Sequence, residues 1–161
     1  MASESRHLSA SPNLSVSRHL SASPNLSVSR HPSVSRHFSV CIDRPAGAVY
    51  AYVSNPANLI KWAPGLGSAV ARRDGDWYVE TPDGQVKIEF VPPNPHGVLD
   101  HDVTMPSGEV VYNPMRVIAD GDGCEVVFTL RRRPGMTDEE WARDADLVAG
   151  DLARLARVQG G

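Results

Sequence analysis

The pattern of apolar and polar residues becomes regular at about residue 38. From residue 38 to 43 (FSVCID), large apolar residues alternate with small or polar ones, which predicts a half-buried β-strand. Arg44-Pro45 ends that strand, and AGAVYAYV at 46–53 predicts a short helix with Pro45 beside its first turn. A second short helix is predicted at 57–62, before the helix-breaking pair Pro64-Gly65.

The region from residue 68 to 133 has the pattern of a β-sheet. Short apolar segments with period-two alternation are separated by turn signals such as Asp74-Gly75 and Pro106-Ser-Gly108. Because nearly all the connections are short, an antiparallel meander is favoured over a parallel sheet. With the strand at 38–43 this predicts seven strands, the other six being 68–73, 77–81, 85–91, 98–105, 109–118 and 124–131.

The last segment, MTDEEWARDADLVAGDLARLARV, predicts a long helix. Thr137 and Glu140 form a capping box at its start, and acidic residues in the first turn complement the helix dipole. Apolar residues then recur three or four positions apart, so one face must pack on another element, and the sheet is the only large partner. These residues are Trp141, Ala145, Val148, Leu152 and Leu155.

Composition divides the chain into two parts. Residues 1–40 contain thirteen Ser and a repeat that reads SRHLSASPNLSV twice, then SRHPSV and SRHFSV; their formal charge is +3, which leaves −6 for the remainder of a chain of net charge −3. The units hold too few large apolar residues to pack on one another, so residues 1–35 are predicted to be a disordered extension and 36–161 the folded domain. Metal binding through the four His residues, or phosphorylation or nucleic-acid contact through the Ser-Arg pairs, is a minor alternative.

Charge and cysteine content exclude several classes of function. A mildly acidic domain lacks the clustered basic residues that a nucleic-acid binder needs, and two cysteines without a CxxC motif form neither a disulfide framework nor a zinc site. No apolar segment is long enough for a membrane span or a secretory signal. We therefore expect a soluble cytoplasmic protein that needs no metal, nucleotide or other cofactor; its oligomeric state does not follow from the sequence.

The order of the predicted elements is similar to that of a known superfamily. The segments FSVCIDRPAGAVYAYVSNPANLIKWAPG at 38–65 and VVFTLRRRPGMTDEEW at 126–141 resemble the START-like, Bet v 1-type (SRPBCC) superfamily, and its polyketide cyclase/dehydrase-like subgroup in particular. The resemblance implies an α+β helix-grip fold. In such a fold a seven-stranded curved antiparallel sheet wraps around the C-terminal helix, and two short helices lie between strands 1 and 2. It also implies an apolar cavity between the sheet and that helix.

If such a cavity exists, strand alternation predicts the side chains that line it. In VLDHDVTM at 98–105, His101 shares the inner face with apolar residues, whereas Asp100 and Asp102 are predicted to face solvent. The predicted ligand-binding residues are Trp62, Trp77, Val79, Ile88, Phe90, Leu99, His101, Val103, Met105, Tyr112, Phe128 and Val148.

His101 is the exception on an otherwise apolar face, since a polar group there needs a partner. It could bind ligand, act as a general acid or base, or serve as a structural histidine bonded to Tyr112 or to backbone. A turn at Pro106-Ser-Gly108 brings Tyr112 within a few residues of His101 on the adjacent strand, so a His–Tyr pair is a further possibility. Asn113-Pro114 interrupts the alternation and predicts a bulge or an edge at that point.

The leading functional hypothesis is the binding or sequestration of a small hydrophobic molecule, a lipid for example, in that cavity. One alternative is a polyketide cyclase- or dehydratase-like enzyme that uses His101 and Tyr112 as catalytic residues. A second alternative is a protein-interaction module like the co-chaperone branch of the superfamily, which would need an exposed apolar patch on the outer sheet face.

Overall fold

The computed structural model describes residues 34–160, which form eight strands and three α-helices. The strands are β1 (Ser35–Ile42), β2 (Ala69–Arg73), β3 (Asp76–Thr81), β4 (Gly84–Phe90), β5 (His101–Thr104), β6 (Val110–Asn113), β7 (Met115–Asp120) and β8 (Gly123–Arg131). The helices are α1 (Ala46–Val53), α2 (Leu59–Trp62), which follows a 3-10 turn at Pro56–Asn58, and α3 (Asp138–Gly160).

The α+β class and the order of the elements are confirmed, and the strand count differs by one. The predicted strand 109–118 is two strands, because Pro114 separates β6 from β7. All strand pairs are antiparallel, in two curved sheets with the orders β1-β8-β7 and β2-β3-β4-β5-β6. The final repeat copy, SRHFSV, forms most of β1, whereas the predicted disorder of the earlier copies falls outside the described residues.

The capping box at the start of α3 is present. The Glu140 backbone N–H donates to the Thr137 hydroxyl at 3.1 Å, and the Thr137 N–H donates to the Glu140 carboxylate at 2.9 Å. Two N–H groups that the helix cannot satisfy internally are thereby paired. The helix starts at the position that the sequence predicts and continues for 23 residues.

The apolar face of α3 packs on two separate clusters of core residues. Trp141 and Ala145, near its start, pack with Leu130 of β8, whereas Leu152 and Leu155, near its end, join the main core beneath α1 and α2. Val148 lies between the two clusters and is only half-buried. The packing of α3 against the sheet is therefore incomplete at its middle turns.

A corner in the sheet lies where Pro114 separates β6 from β7. Val98 forms an antiparallel β-bridge with Arg116, and His101 pairs with Asn113. One antiparallel register therefore continues across the corner. In a regular ladder of this register, Leu99 and Met115 would exchange two backbone hydrogen bonds. Only one of them forms, from the Leu99 N–H to the Met115 carbonyl at 2.9 Å.

Two side chains bind the backbone groups that the corner leaves free. The Met115 N–H donates to Asp100 Oδ1 at 2.9 Å, and the Leu99 carbonyl accepts a hydrogen bond from His101 Nδ1 at 3.0 Å. The Tyr112 hydroxyl and the Arg116 guanidinium complete the contacts of the Asp100 carboxylate. Since buried backbone groups must be paired, Asp100 and His101 make the corner possible.

Deleting residues 1–34 should leave the fold intact, and deleting residues 1–43 should abolish it. The shorter deletion removes a single described hydrogen bond, from the Arg132 N–H to the Val34 carbonyl, worth about 1 kcal/mol. The longer one removes all of β1, including buried Ile42, and exposes β8. Circular dichroism with thermal melting would show a cooperative transition for the first protein and none for the second; a folded second protein would contradict the assignment.

Substitution of Asp100→Ala should lower the free energy of unfolding by about 3 kcal/mol, because it leaves the buried Met115 N–H unpaired and removes a partner of Arg116. Tyr112→Phe, which removes only one hydrogen bond to Asp100, should cost about 1 kcal/mol. Urea denaturation monitored by tryptophan fluorescence measures both changes.

Asp102→Ala is the matched control for the Asp100 substitution. Asp102 lies two residues further along and is half-buried, and its side chain forms no hydrogen bond or ion pair with the part of the chain that the structure describes. Its substitution should change stability by no more than about 0.5 kcal/mol. Equal losses for the two aspartates would show that the corner does not depend on the Asp100 carboxylate.

Candidate functional site

A cavity of about 190 Å³ lies between the sheet and α3, at the turns where the packing of α3 is incomplete. His101 and Val103 of β5 and Phe128 of β8 form the sheet side, and Val148 faces them from α3. The other lining residues are Leu59, Trp62, Ala63, Gly65, Leu66, Asn113, Leu130, Asp144, Leu147, Asp151 and Leu152. The cavity is mostly apolar and is smaller than the roughly 300 Å³ at which drug-sized pockets begin.

The loop after α2 covers one side of this cavity. Arg154 Nε on α3 donates to the Lys61 carbonyl at 2.7 Å and ties α2 to α3. Gly65 lies so close to α3 that a Cβ atom there would be 3.0 Å from Leu147 Cδ2. Leu147 is 44% exposed, so the cavity meets the surface beside this side chain.

His101 presents a hydrogen-bond acceptor to the cavity. A carbonyl oxygen can only accept, so the bond to Leu99 places the proton on Nδ1 and leaves Nε2 with a lone pair. Burial lowers the pKa of His101 below its ordinary value, against the opposing effects of the Leu99 hydrogen bond and of Asp102. The ring is held beside Phe90 and Phe128, with centroid distances of 4.9 and 6.2 Å. Nε2 forms no hydrogen bond with residues 34–160.

Two carboxylates on α3 add further acceptors at the cavity wall. Burial raises the pKa of Asp151 to about 6, although the Gly65 N–H and Arg154 oppose this shift. Burial also raises the pKa of Asp144, against the effects of Arg133 and Arg143. Since no Lys or Arg is among the described residues that line the cavity, these acceptors favour ligand groups that donate hydrogen bonds over anions.

Trp62 contributes a buried donor to this region. The residue is 5% exposed, and its Nε1 has no hydrogen-bond partner among residues 34–160. A buried indole N–H usually has a partner, and leaving it unpaired is unfavourable. A ligand oxygen that reached this atom would satisfy it.

Five of the twelve predicted ligand-binding residues line this cavity: Trp62, His101, Val103, Phe128 and Val148. Four others, Trp77, Ile88, Phe90 and Leu99, line a second cavity of about 420 Å³ that lies between the start of β3, the end of β4 and the C-terminal end of α1. Val79 is fully buried in the core, and Met105 packs against the core without lining either cavity.

Tyr112 does not face His101, and Asp100 does not face solvent. The register pairs Tyr112 with Asp102, so its side chain lies on the opposite face of the sheet, where the hydroxyl donates to Asp100. The predicted His–Tyr pair is therefore not formed. The expectation that Asp100 is solvated is wrong: its exposure is 4%, because the corner at Pro114 turns the carboxylate onto backbone and side-chain donors.

Sequence reasoning missed the two acidic residues of the site. Asp144 and Asp151 stand four residues before and three residues after Val148, and this spacing places all three side chains on one face of α3. The same helical periodicity that identified Val148 could have identified them. Asn113 was likewise missed, although it pairs directly with His101.

Other kinds of site find little support in residues 34–160. These residues contain no group of three or more His, Cys, Asp or Glu side chains that could hold a metal ion. None of their helices, the long helix α3 included, is both long enough and apolar enough to cross a bilayer.

Known structures with the same fold are similar to this chain over most of its length. XoxI from Bacillus cereus superimposes with a TM-score of 0.62 at 12% identity, over 78% of this chain and 95% of that protein. The Aha1 dimer protein from Colwellia psychrerythraea superimposes with a TM-score of 0.61 at 15% identity, over 79% of this chain and 96% of that protein. Ara h 8.0201 superimposes with a TM-score of 0.58 at 14% identity, over 79% of this chain and 97% of that protein. At these identities the likeness establishes the fold alone.

Comparison of sequences identifies the family. No curated protein matches this chain. A family model described as "Polyketide cyclase / dehydrase and lipid transport" matches residues 33–159, which include all eight strands and nearly all of α3. The match confirms the resemblance inferred from the two segments at 38–65 and 126–141. The chain belongs to the polyketide cyclase/dehydrase and lipid transport family, within the SRPBCC-type fold.

Proposed function

We propose that this protein binds and sequesters a small, largely apolar molecule that carries a hydrogen-bond donor, such as a hydroxyl group. The observation that carries the proposal is the hydrogen bond from His101 Nδ1 to the Leu99 carbonyl, which leaves Nε2 as an acceptor without a partner among residues 34–160, on a side chain that lines an apolar cavity. The donor of the ligand would meet Nε2, and its apolar part would lie against Val103, Phe128 and Val148.

The volume of the cavity limits the size of this ligand. A cavity of about 150 Å³ lined by aliphatic and aromatic side chains is known to hold benzene. The cavity beside His101, at about 190 Å³, is thus suited to one ring with a small substituent.

The charges around the cavity favour neutral ligands over anions. Asp144 and Asp151 would repel a carboxylate, and a neutral His101 offers it no proton. This consideration favours a phenol or an alcohol over a fatty acid. The catalytic alternative has less support, since Tyr112, its second proposed catalytic group, lies on the other face of the sheet.

Three probes of equal ring size test the proposal: phenol, toluene and benzoate. The wild-type protein should bind phenol about fivefold more tightly than toluene, the equivalent of one hydrogen bond of about 1 kcal/mol, and benzoate most weakly. Titration followed by protein NMR, with shifts of the His101 and Val103 signals as readout, measures all three.

Two variants separate the role of His101 from a general effect on the fold. His101→Phe should make the affinities for phenol and toluene equal, because the ring is retained and the acceptor is lost. Tyr112→Phe removes a hydroxyl outside the cavity and should leave the preference for phenol unchanged. Absence of phenol binding, or tightest binding of benzoate, would refute the proposal; native mass spectrometry of protein from its host would then show whether another molecule co-purifies.

A further inference from the structure

The second cavity, of about 420 Å³, lies on the same inner face of the sheet as the first. Trp77, Ile88 and Phe90 form its sheet side, and register places Trp77 beside Ile88, whose partner on the next strand is Val103 of the first cavity. Tyr50, Ser54 and Pro56, from α1 and the turn after it, face them. The two cavities are therefore neighbours on the inner face of the sheet, the first beneath α2 and α3 and the second beneath α1.

Where β4 and β5 pair, the boundary between the cavities follows the line between the two strands, whereas Leu99, before β5, lines the second cavity. On the β4 side, Ile88 and Phe90 line the second cavity; on the β5 side, their direct partners Val103 and His101 line the first. Above the sheet, Pro56 belongs to the second cavity and Leu59, one turn later, to the first.

Phe90 and His101 are the largest pair in this boundary. Their rings are tilted by 38° with centroids 4.9 Å apart, so no ligand atom fits between them. Phe90 is only half-buried, whereas Ile88 is 2% exposed and belongs to the main core. The Phe90 ring is thus the part of the boundary that could be shortened with the least damage to the core.

We propose that Phe90 determines the specificity of the ligand site by limiting the length of the ligand. This inference rests on the proposed function. With Phe90 in place, the ligand is confined to the space beside His101 and is a short molecule. Without the ring, the site would extend into the second cavity, whose lining adds Tyr50, Ser54 and Trp77.

The linear alcohols butanol, hexanol, octanol and decanol test this proposal, because they share one donor and differ only in length. Each buried CH₂ should tighten binding about fourfold while space remains. Scaled from benzene in about 150 Å³, the first cavity holds about seven or eight carbon atoms. Wild-type affinity should therefore rise up to octanol and then level off.

Phe90→Ala should let the affinity continue to rise to decanol, by more than tenfold over octanol, which is two further CH₂ groups. Phe90→Leu retains more of the packing and should give a smaller gain in affinity from octanol to decanol. It replaces the alanine variant in the experiment if that variant does not fold. Phe38→Leu is the matched control. Phe38 is also half-buried and packs against the core but lines neither cavity among the described residues, so the limit at octanol should stay as in the wild type.

The outcomes distinguish this inference from the proposed function. If hexanol binds the wild type but the Phe90 variants level off at the same length, Phe90 does not set the limit. A wild-type affinity that keeps rising through decanol would also show that Phe90 does not limit the length of the ligand. If hexanol does not bind the wild type at all, the proposed function fails, and this inference fails with it.

Discussion

The structure depends on the exchange of hydrogen bonds at the sheet corner beside Pro114. Leu99 and Met115 stand in register to form two backbone bonds and form only one. The freed Met115 N–H donates to the Asp100 carboxylate, and the freed Leu99 carbonyl accepts a hydrogen bond from His101 Nδ1. A bend of this kind would otherwise leave two buried backbone groups unpaired, at a cost of about 1 to 3 kcal/mol each. Two consecutive residues, with side chains on opposite faces of the sheet, thus stabilise the curvature that brings the sheet around α3.

The same exchange determines the chemistry of the cavity. Because Nδ1 of His101 donates to the Leu99 carbonyl, Nε2 is left as an acceptor, and burial favours the neutral ring by lowering the pKa of His101. The cavity exists because α3 packs on the rest of the core in two places, around Trp141 and around Leu152. The turns of α3 between these places line the cavity. Sheet curvature and an interrupted helix packing together produce one small, acceptor-lined space, and the family match is consistent with a binding role for it.

Much of the fold could be predicted from the sequence, because local signals determine it. Alternation gave the strands, the Thr137–Glu140 box gave the start of α3, and Pro114 marked the interruption. The site was harder to predict. Alternation placed His101 inward, but it also placed Asp100 in solvent, since no local pattern shows that a bend will present it with a backbone N–H. The position of Tyr112 depends on cross-strand register, and the division of the inner face into two cavities depends on how α1 and α2 pack above it. Neither is recorded in local sequence.

The protonation of His101 is the most direct test of this account. Two-dimensional NMR correlation of the imidazole ¹⁵N and carbon-bound ¹H signals distinguishes the two neutral tautomers and the charged form. We predict a proton on Nδ1 alone at neutral pH, and titration of the ring at a lower pH than that of a free imidazole, because burial lowers the pKa of His101 below its ordinary value of 6.5. A proton on Nε2, or titration of the ring at its ordinary pKa, would contradict the claim that the corner fixes His101 as the acceptor of the cavity.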